Sequence, residues 1–240
     1  MSTSRSADLT TPTRLVDGPV PFSRTAVGKK VLMAVSGIVL FGFVLVHMLG
    51  NLKLYLGPEA LNAYAEWLRE MGHPVLPRGV GLWIARLVLI AAVAVHVTTA
   101  TQLTLQNLRA RPAGYAYRKV VQATYAARTM RWSGVIILLF VVYHLLHLTS
   151  GTLHPQFDAG DVYHNVVAGF RVWWVAAVYV AANLLLGLHL FHGLWSMFQT
   201  LGCTHPKYNH WRLWFARVFA AVITLGNVSF PLAVLLGFVS

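Results

Sequence analysis

The sequence predicts an all-α, multi-pass membrane protein built on five transmembrane helices, and three observations carry that prediction. Of the 240 residues, 57% are apolar and only 11% are charged, against about 25% charged in an ordinary globular domain. The charges are absent from five long stretches: residues 31–52, 87–108, 132–157, 172–206 and 218–240 contain no Asp, Glu, Lys or Arg. Every one is at least 22 residues long, and a helix needs about 20 residues, at 1.5 Å each, to cross a bilayer. A water-soluble domain is excluded, and the net charge of +12 is not read as a nucleic-acid-binding surface. The connectors, of about 20 to 30 residues, are too short to fold a separate catalytic domain.

The elements follow in order. Residues 1–30 are rich in Ser, Thr, Pro and Arg and have no apolar stretch ahead of Val31. They are expected to form a short cytoplasmic tail rather than a cleaved secretory signal; their Ser/Arg-rich, acid-poor character leaves a mitochondrial transit peptide as the alternative. The spans are expected at about 31–54, 81–108, 131–152, 172–200 and 213–238. Between the first two, residues 61–69 (LNAYAEWLR) put Leu61, Tyr64 and Leu68 on one helical face and predict a short interfacial helix. Trp67, Trp83, Trp132, Trp173, Trp174, Trp211 and Trp214 lie near span ends or in connectors, as an aromatic belt requires.

Orientation follows from the basic residues, which accumulate on the cytoplasmic side. The tail (Arg5, Arg14, Arg24, Lys29, Lys30), the loop after span two (Arg109, Arg111, Arg118, Lys119, Arg128, Arg131) and the loop after span four (Lys207, Arg212, Arg217) hold 14 of the 19 basic residues. The N-terminus is expected inside the cell membrane and the C-terminus outside. With Asp8 and Asp17 on the inner side, the whole excess of +12 sits there. On the outer side Glu59, Glu66, Glu70, Asp158 and Asp161 balance Lys53, Arg69, Arg78, Arg86 and Arg171.

Cys203 is the only cysteine. An intrachain disulfide, a Cys-ligated iron–sulfur cluster and covalent haem attachment are therefore excluded.

Four spans carry histidine within the apolar run: His47, His96, the pair His144 and His147, and the pair His189 and His192. In a soluble protein such a side chain is most often a hydrogen-bonded core residue. In a bilayer the balance reverses, because ionisable groups there are costly and mark function. Imidazole is the commonest metal ligand, and two histidines from facing helices hold a haem iron without cysteine. A proton relay is the competing reading, but no carboxylate lies within any span. Depth suggests the pairing. His47 lies 17 residues past Lys30, roughly 25 Å from the inner surface, and His189 lies 18 residues past Arg171, about 27 Å from the outer one. With span two starting near Trp83, His96 is about 20 Å from the outer surface; with span three ending near Gly151, His144 is about 10 Å from it. An outer pair of His47 with His144 and an inner pair of His96 with His189 follow. Gly37, Gly42, Gly50, Gly134, Gly187 and Gly193 flank these histidines. They suit either a flat macrocycle or close helix packing.

Several pieces, in order and on the right spans, resemble one family. They are His47-Met-Leu-Gly-Asn51 with the following Leu-Lys-Leu-Tyr-Leu-Gly-Pro-Glu-Ala, the loop Ala110-Arg-Pro-Ala-Gly-Tyr115, and Arg131-Trp-Ser-Gly134 leading to Phe140-Val-Val-Tyr-His144. Further pieces are His189-Leu-Phe-His-Gly-Leu-Trp-Ser196 and Gly202-Cys-Thr-His-Pro206. Over about residues 24–240 the chain resembles the di-haem cytochrome b (b558-type) membrane anchor of succinate dehydrogenase and fumarate reductase.

The resemblance implies a five-helix haem-binding bundle with two haems b. It implies axial ligands His47 and His144 for the outer haem, and His96 and His189 for the inner one. His147 and His192 are then neighbours of the haems or of their propionates, as is Arg86, which snorkelling to the surface would explain equally well. A flavoprotein and an iron–sulfur subunit would dock on the cytoplasmic face. Their electrons from succinate would cross both haems to a membrane quinone, menaquinone in this class, with no succinate chemistry on this chain. Quinone reduction consumes protons, so an acidic group is expected near the ring; of Glu59, Glu66, Glu70, His73, Asp158 and Asp161 on the outer side, Glu66 and Glu70 are the candidates. Association of complexes into trimers, and operation in the fumarate-reducing direction, stay open. The alternatives are a cytochrome b subunit of another quinone-linked enzyme, such as a formate dehydrogenase or hydrogenase, and a haem-free multi-pass transporter.

Overall fold

Local signals set the ends of the helices. The computed structural model describes residues 21–110 and 125–240; the tail up to residue 20, and the Arg111 to Tyr115 part of the loop motif, lie outside the described residues. Helix α1 (Ala26–Asn51) starts behind Thr25, whose hydroxyl accepts the Gly28 N–H at 2.9 Å, an N-cap that satisfies one of the first-turn donors. Past a 3-10 turn at Leu52–Leu56, Gly57 takes a positive φ of 96° and Pro58 opens α2 (Pro58–Arg69), where its missing N–H costs nothing. This is the interfacial helix expected at 61–69, begun one turn earlier. Helix α3 (Val80–Arg109) follows Gly79.

Helix α4 (Tyr125–His144) runs straight into a π-helical turn, Leu145–Thr149. A nine-residue helix, α5 (Val162–Phe170), has no counterpart in the sequence reading. Helices α6 (Trp173–Thr200) and α7 (Asn209–Leu235) complete the chain, with Pro231 buried inside α7. The described residues contain no strand.

Five segments are long and apolar enough to cross a membrane: Ala26–Leu56, Val80–Arg109, Met130–Thr149, Trp173–Thr200 and Pro206–Leu235. The helices outrun the charge-free stretches, and α1 takes Lys29 and Lys30 into its first turns. A helical hydrogen-bond ladder has no reason to stop where lipid does. Phe43, Leu87, Leu139, Leu184 and Leu225 are exposed on the helix surfaces, as apolar side chains facing hydrocarbon are.

Helix α1 packs along α3, α4 along α6, and α6 along α7, while α1 also meets α6 and α7. Small residues permit the close approaches: a Cβ on Gly187 of α6 would strike Thr224 of α7, and one on Gly226 of α7 would strike Met48 of α1. Ala176, Ala216 and Ile223 sit in the resulting core. Two facing pairs, α1 with α4 and α3 with α6, make no extended contact among the described residues. The histidines occupy those two gaps.

We call the end of the bundle where α1 begins the basic end, and the opposite one the far end. The far end is covered by α2 and α5, joined by Asn62. Its side chain donates to Asp161 at 2.9 Å and accepts the Tyr163 N–H at 3.1 Å.

Candidate functional site

The two gaps each hold one pair of histidine rings. Toward the far end His47 of α1 and His144 of α4 meet edge to face, with ring centres 5.9 Å apart. Toward the basic end His96 of α3 and His189 of α6 lie 6.4 Å apart at 63°. The four residues come from four different transmembrane helices and approach in the combination that depth along the spans suggests.

The basic-end pair has its protons placed by its neighbours. His96 Nδ1 lies 3.2 Å from the Met33 carbonyl oxygen and 3.4 Å from Ser36 Oγ. A carbonyl can only accept, so Nδ1 carries the proton and Nε2 keeps its lone pair. His189 Nδ1 lies 3.2 Å from Ser133 Oγ, and that hydroxyl donates its one hydrogen to the Met130 carbonyl at 3.0 Å. Ser133 therefore accepts from His189, whose Nε2 is also left free. Free Nε2 with Nδ1–H hydrogen-bonded is the arrangement in which imidazole binds a metal.

The far-end pair is set differently. Phe43 stacks on His47 at 5.3 Å, and Phe140 and Tyr179 flank His144 at 6.0 and 5.8 Å. His144 Nδ1 is buried and has no hydrogen-bond partner among the described residues. The π-helical turn directly after His144 widens the backbone where His147 enters the core, and such turns recur at functional sites. His147 is buried and its Nδ1 lies 3.1 Å from the Tyr179 hydroxyl. His154 packs against it at 4.8 Å between ring centres. The Gln156 N–H donates to His154 Nδ1, so His154 Nε2–H donates to the Asn165 carbonyl at 2.9 Å. Both of its nitrogens are thus committed to holding the loop.

The remaining sequence candidates take these places. His192 has a buried Nδ1 without a partner among the described residues, with the Trp195 ring 6.1 Å away. Arg86 lies over the Trp83 ring at 4.9 Å, one turn away on its own helix. Glu66 is paired with Arg69 at 3.0 Å and with Arg78, and Glu70 ends α2 as an exposed residue. Neither carboxylate hydrogen-bonds a histidine ring among the described residues; the Glu70 backbone carbonyl accepts the His73 N–H at 2.9 Å. Asp161 caps α5, where the His164 N–H and the Asn62 amide hold its carboxyl below the usual carboxylate range. The glycines divide: Gly37 and Gly134 lie against the His96 and His189 rings, Gly50 and Gly187 against Tyr64 and Thr224, and Gly42 and Gly193 face open space.

The spacing of the rings tests a metal-centred group. Two imidazoles bound at about 2.0–2.1 Å on opposite sides of one metal ion have ring centres roughly 6 Å apart. The pairs, at 5.9 and 6.4 Å, fit. No cluster of three or more His, Cys, Asp or Glu residues suited to a metal occurs among the described residues. Each ring pair brings two imidazoles together, a donor set that suits an iron whose other ligands come from a macrocycle.

The family model of the succinate dehydrogenase/fumarate reductase transmembrane subunit matches residues 109–229, just over half of the chain. The chain belongs to that family. The matched segment contains His144 and His189, one member of each ring pair, with α4, α5, α6 and most of α7. No curated protein and no solved structure matches the chain. Membership makes this a multi-pass membrane subunit of a succinate:quinone oxidoreductase.

Sequence reasoning passed over two hydrogen-bonding neighbours of the basic-end histidines, Ser36 and Ser133. The signal was present: both α1 and α4 carry a Ser-Gly pair eleven residues ahead of a histidine.

Proposed function

We propose that this subunit holds two b haems and conducts electrons across the membrane from succinate to a quinone. His47 and His144 would hold the haem at the far end, and His96 and His189 the one at the basic end. The observation that carries this reading is the presence of two histidine pairs, each bridging helices that otherwise stand apart, at ring spacings of 5.9 and 6.4 Å. A b haem in each pair supplies one-electron transfer between ferrous and ferric iron.

The chain's own residues do the rest. The apolar helices exclude water, and Met33, Ser36 and Ser133 hold the basic-end imidazoles in the ligating tautomer. The basic end, on the cytoplasmic side by the distribution of Lys and Arg, offers positive charge to the flavoprotein and iron–sulfur subunits. Succinate oxidation belongs to those partners. At the far end menaquinone takes up the electrons, and its protons come through Glu66 or Glu70, the carboxylates of α2. Arg86, His147 and His192 are assigned to the surroundings of the haems and their propionates. His192 alone of the three has a buried ring nitrogen without a partner among the described residues.

A haem extraction assay with a reduced-minus-oxidised spectrum on the purified complex tests this. Two haems b per chain are expected, both reducible by succinate; fewer than two would overturn the four-ligand assignment.

A further inference from the structure

Ser36 and Ser133 stand at equivalent places in two halves of the bundle. Each opens a Ser-Gly pair, and each lies eleven residues ahead of the far-end histidine of its own helix, His47 or His144. Eleven residues are about three turns and about 16 Å, so serine and histidine share one helix face at two depths. Each serine reaches the histidine of the helix packed beside it: Ser36 of α1 lies 3.4 Å from His96 of α3, and Ser133 of α4 lies 3.2 Å from His189 of α6. The glycine that follows each serine lies beside that ring, where a Cβ would make ordinary contact: 3.6 Å from His96 Cε1 for Gly37, and 3.5 Å from His189 Cε1 for Gly134. The pairs α1/α3 and α4/α6 thus repeat one arrangement.

We infer that Ser133, and to a lesser degree Ser36, are positioning residues for the basic-end centre: their hydroxyl oxygens accept the Nδ1–H of His189 and His96 and keep both imidazoles turned with Nε2 toward the shared site. The inference rests on the two-haem reading above. The inequality comes from the geometry. His96 keeps a second acceptor, the Met33 carbonyl at 3.2 Å, whereas Ser133 is the only partner of His189 Nδ1 among the described residues. Hydrogen bonding at Nδ1 makes imidazole the more basic ligand, and a more basic ligand favours ferric iron. Removing the acceptor therefore raises the midpoint potential of the basic-end haem. At the far end His144 has no such acceptor to lose, since its Nδ1 has no partner among the described residues.

Redox titration of the purified complex, followed by the two haem absorbances and by the low-spin ferric EPR signals, tests this in Ser133→Ala, Ser36→Ala and Ser133→Thr. In Ser133→Ala the potential of one haem, the one whose absorbance His96→Ala removes, shifts upward and its EPR g-values change. The other haem stays put. Ser36→Ala shifts the same haem by clearly less, and Ser133→Thr, which keeps the hydroxyl, returns toward wild type. If Ser133→Ala fails to retain the basic-end haem while Ser133→Thr retains it, the hydroxyl is again the group required. The two serines are similarly buried, at 6% and 3% exposure, so a purely packing role would make both alanine variants behave alike. Equal shifts in the two, an unchanged Ser133→Ala, or a loss that Ser133→Thr does not repair would each overturn the inference. A wild-type complex with fewer than two haems would instead overturn the reading beneath it.

Discussion

His147 Nδ1 and the Tyr179 hydroxyl lie 3.1 Å apart in the buried far-end half of the bundle, one turn of chain beyond His144. This contact separates the two histidines of the H-x-x-H sequence, because His147 already has a polar partner where His144 has none among the described residues. Tyr179→Phe leaves a buried imidazole nitrogen unpaired, at a cost of about 1–3 kcal/mol. A lower Tm with both haems retained is the expected result. Haem loss in this variant would place Tyr179 in the haem site itself.

Removing single ligands should empty single sites. His47→Ala is expected to halve the haem content and to spare the basic-end haem, and His96→Ala to do the reverse. His147→Ala should keep both haems. Spectra recorded on the three purified complexes decide the matter, and a His47→Ala complex lacking only the basic-end haem would reverse the pairing.

The joint between α2 and α5 gives a pH dependence. The Asp161 carboxyl is held below the usual carboxylate range by the His164 amide and the Asn62 side chain. Its folded value is depressed, so its contribution to stability is full above the unfolded value of about 3.9 and fades as pH falls through the folded one. Loss of the N-cap in Asp161→Ala should cost about 0.5–2 kcal/mol at neutral pH. The Tm gap to wild type should narrow in acid, and a gap independent of pH from 7 to 3 would deny the carboxylate this role.

Close packing of α6 on α7 should respond to second-site relief. Gly187→Ala drives a methyl into Thr224 and should cost about 1–3 kcal/mol. Adding Thr224→Ala should recover part of that loss in a double-mutant cycle. Additive effects would mean that the two residues do not meet.

The quinone's proton donor can be sought by exchanging Glu66 and Glu70 for Gln in turn. General acid groups contribute typically about 10²–10⁴ in rate. The donor's variant should therefore lose at least tenfold in quinone reduction while succinate still reduces both haems. A variant that loses only the ion pairs of Glu66 with Arg69 and Arg78 should keep turnover and melt earlier. Undiminished turnover in both variants would remove α2 as the proton source.

The spans and the four far-apart histidines were legible because a bilayer writes itself into sequence as charge-free length, against which an imidazole stands out. Helix α2 was legible for a different reason, its Leu61-Tyr64-Leu68 face. Helix α5 was not. Nine residues give barely two turns of periodicity, and the features that settle it, the Asp161 cap and the Asn62 bridge across about a hundred residues, are tertiary. The same holds for Ser36 and Ser133. A lone serine in an apolar helix reads as tolerated polarity, and only the packing of α1 on α3 and of α4 on α6 brings each beside an imidazole. The glycines left both readings open in sequence, and Gly187 and Gly50 take the packing one, against Thr224 and Tyr64.

The eleven-residue interval shared by α1 and α4 makes each of these helices a ruler between the two centres. One residue inserted between Ser36 and His47 would turn one of them by about 100° relative to the other, so no register of the helix could serve both sites. In the two-haem reading, the distance between the centres is about three turns of a rigid rod rather than the property of a loop. On that reading the 36–47 and 133–144 stretches should accept substitution but neither insertion nor deletion, and tolerated length changes should fall in the connectors.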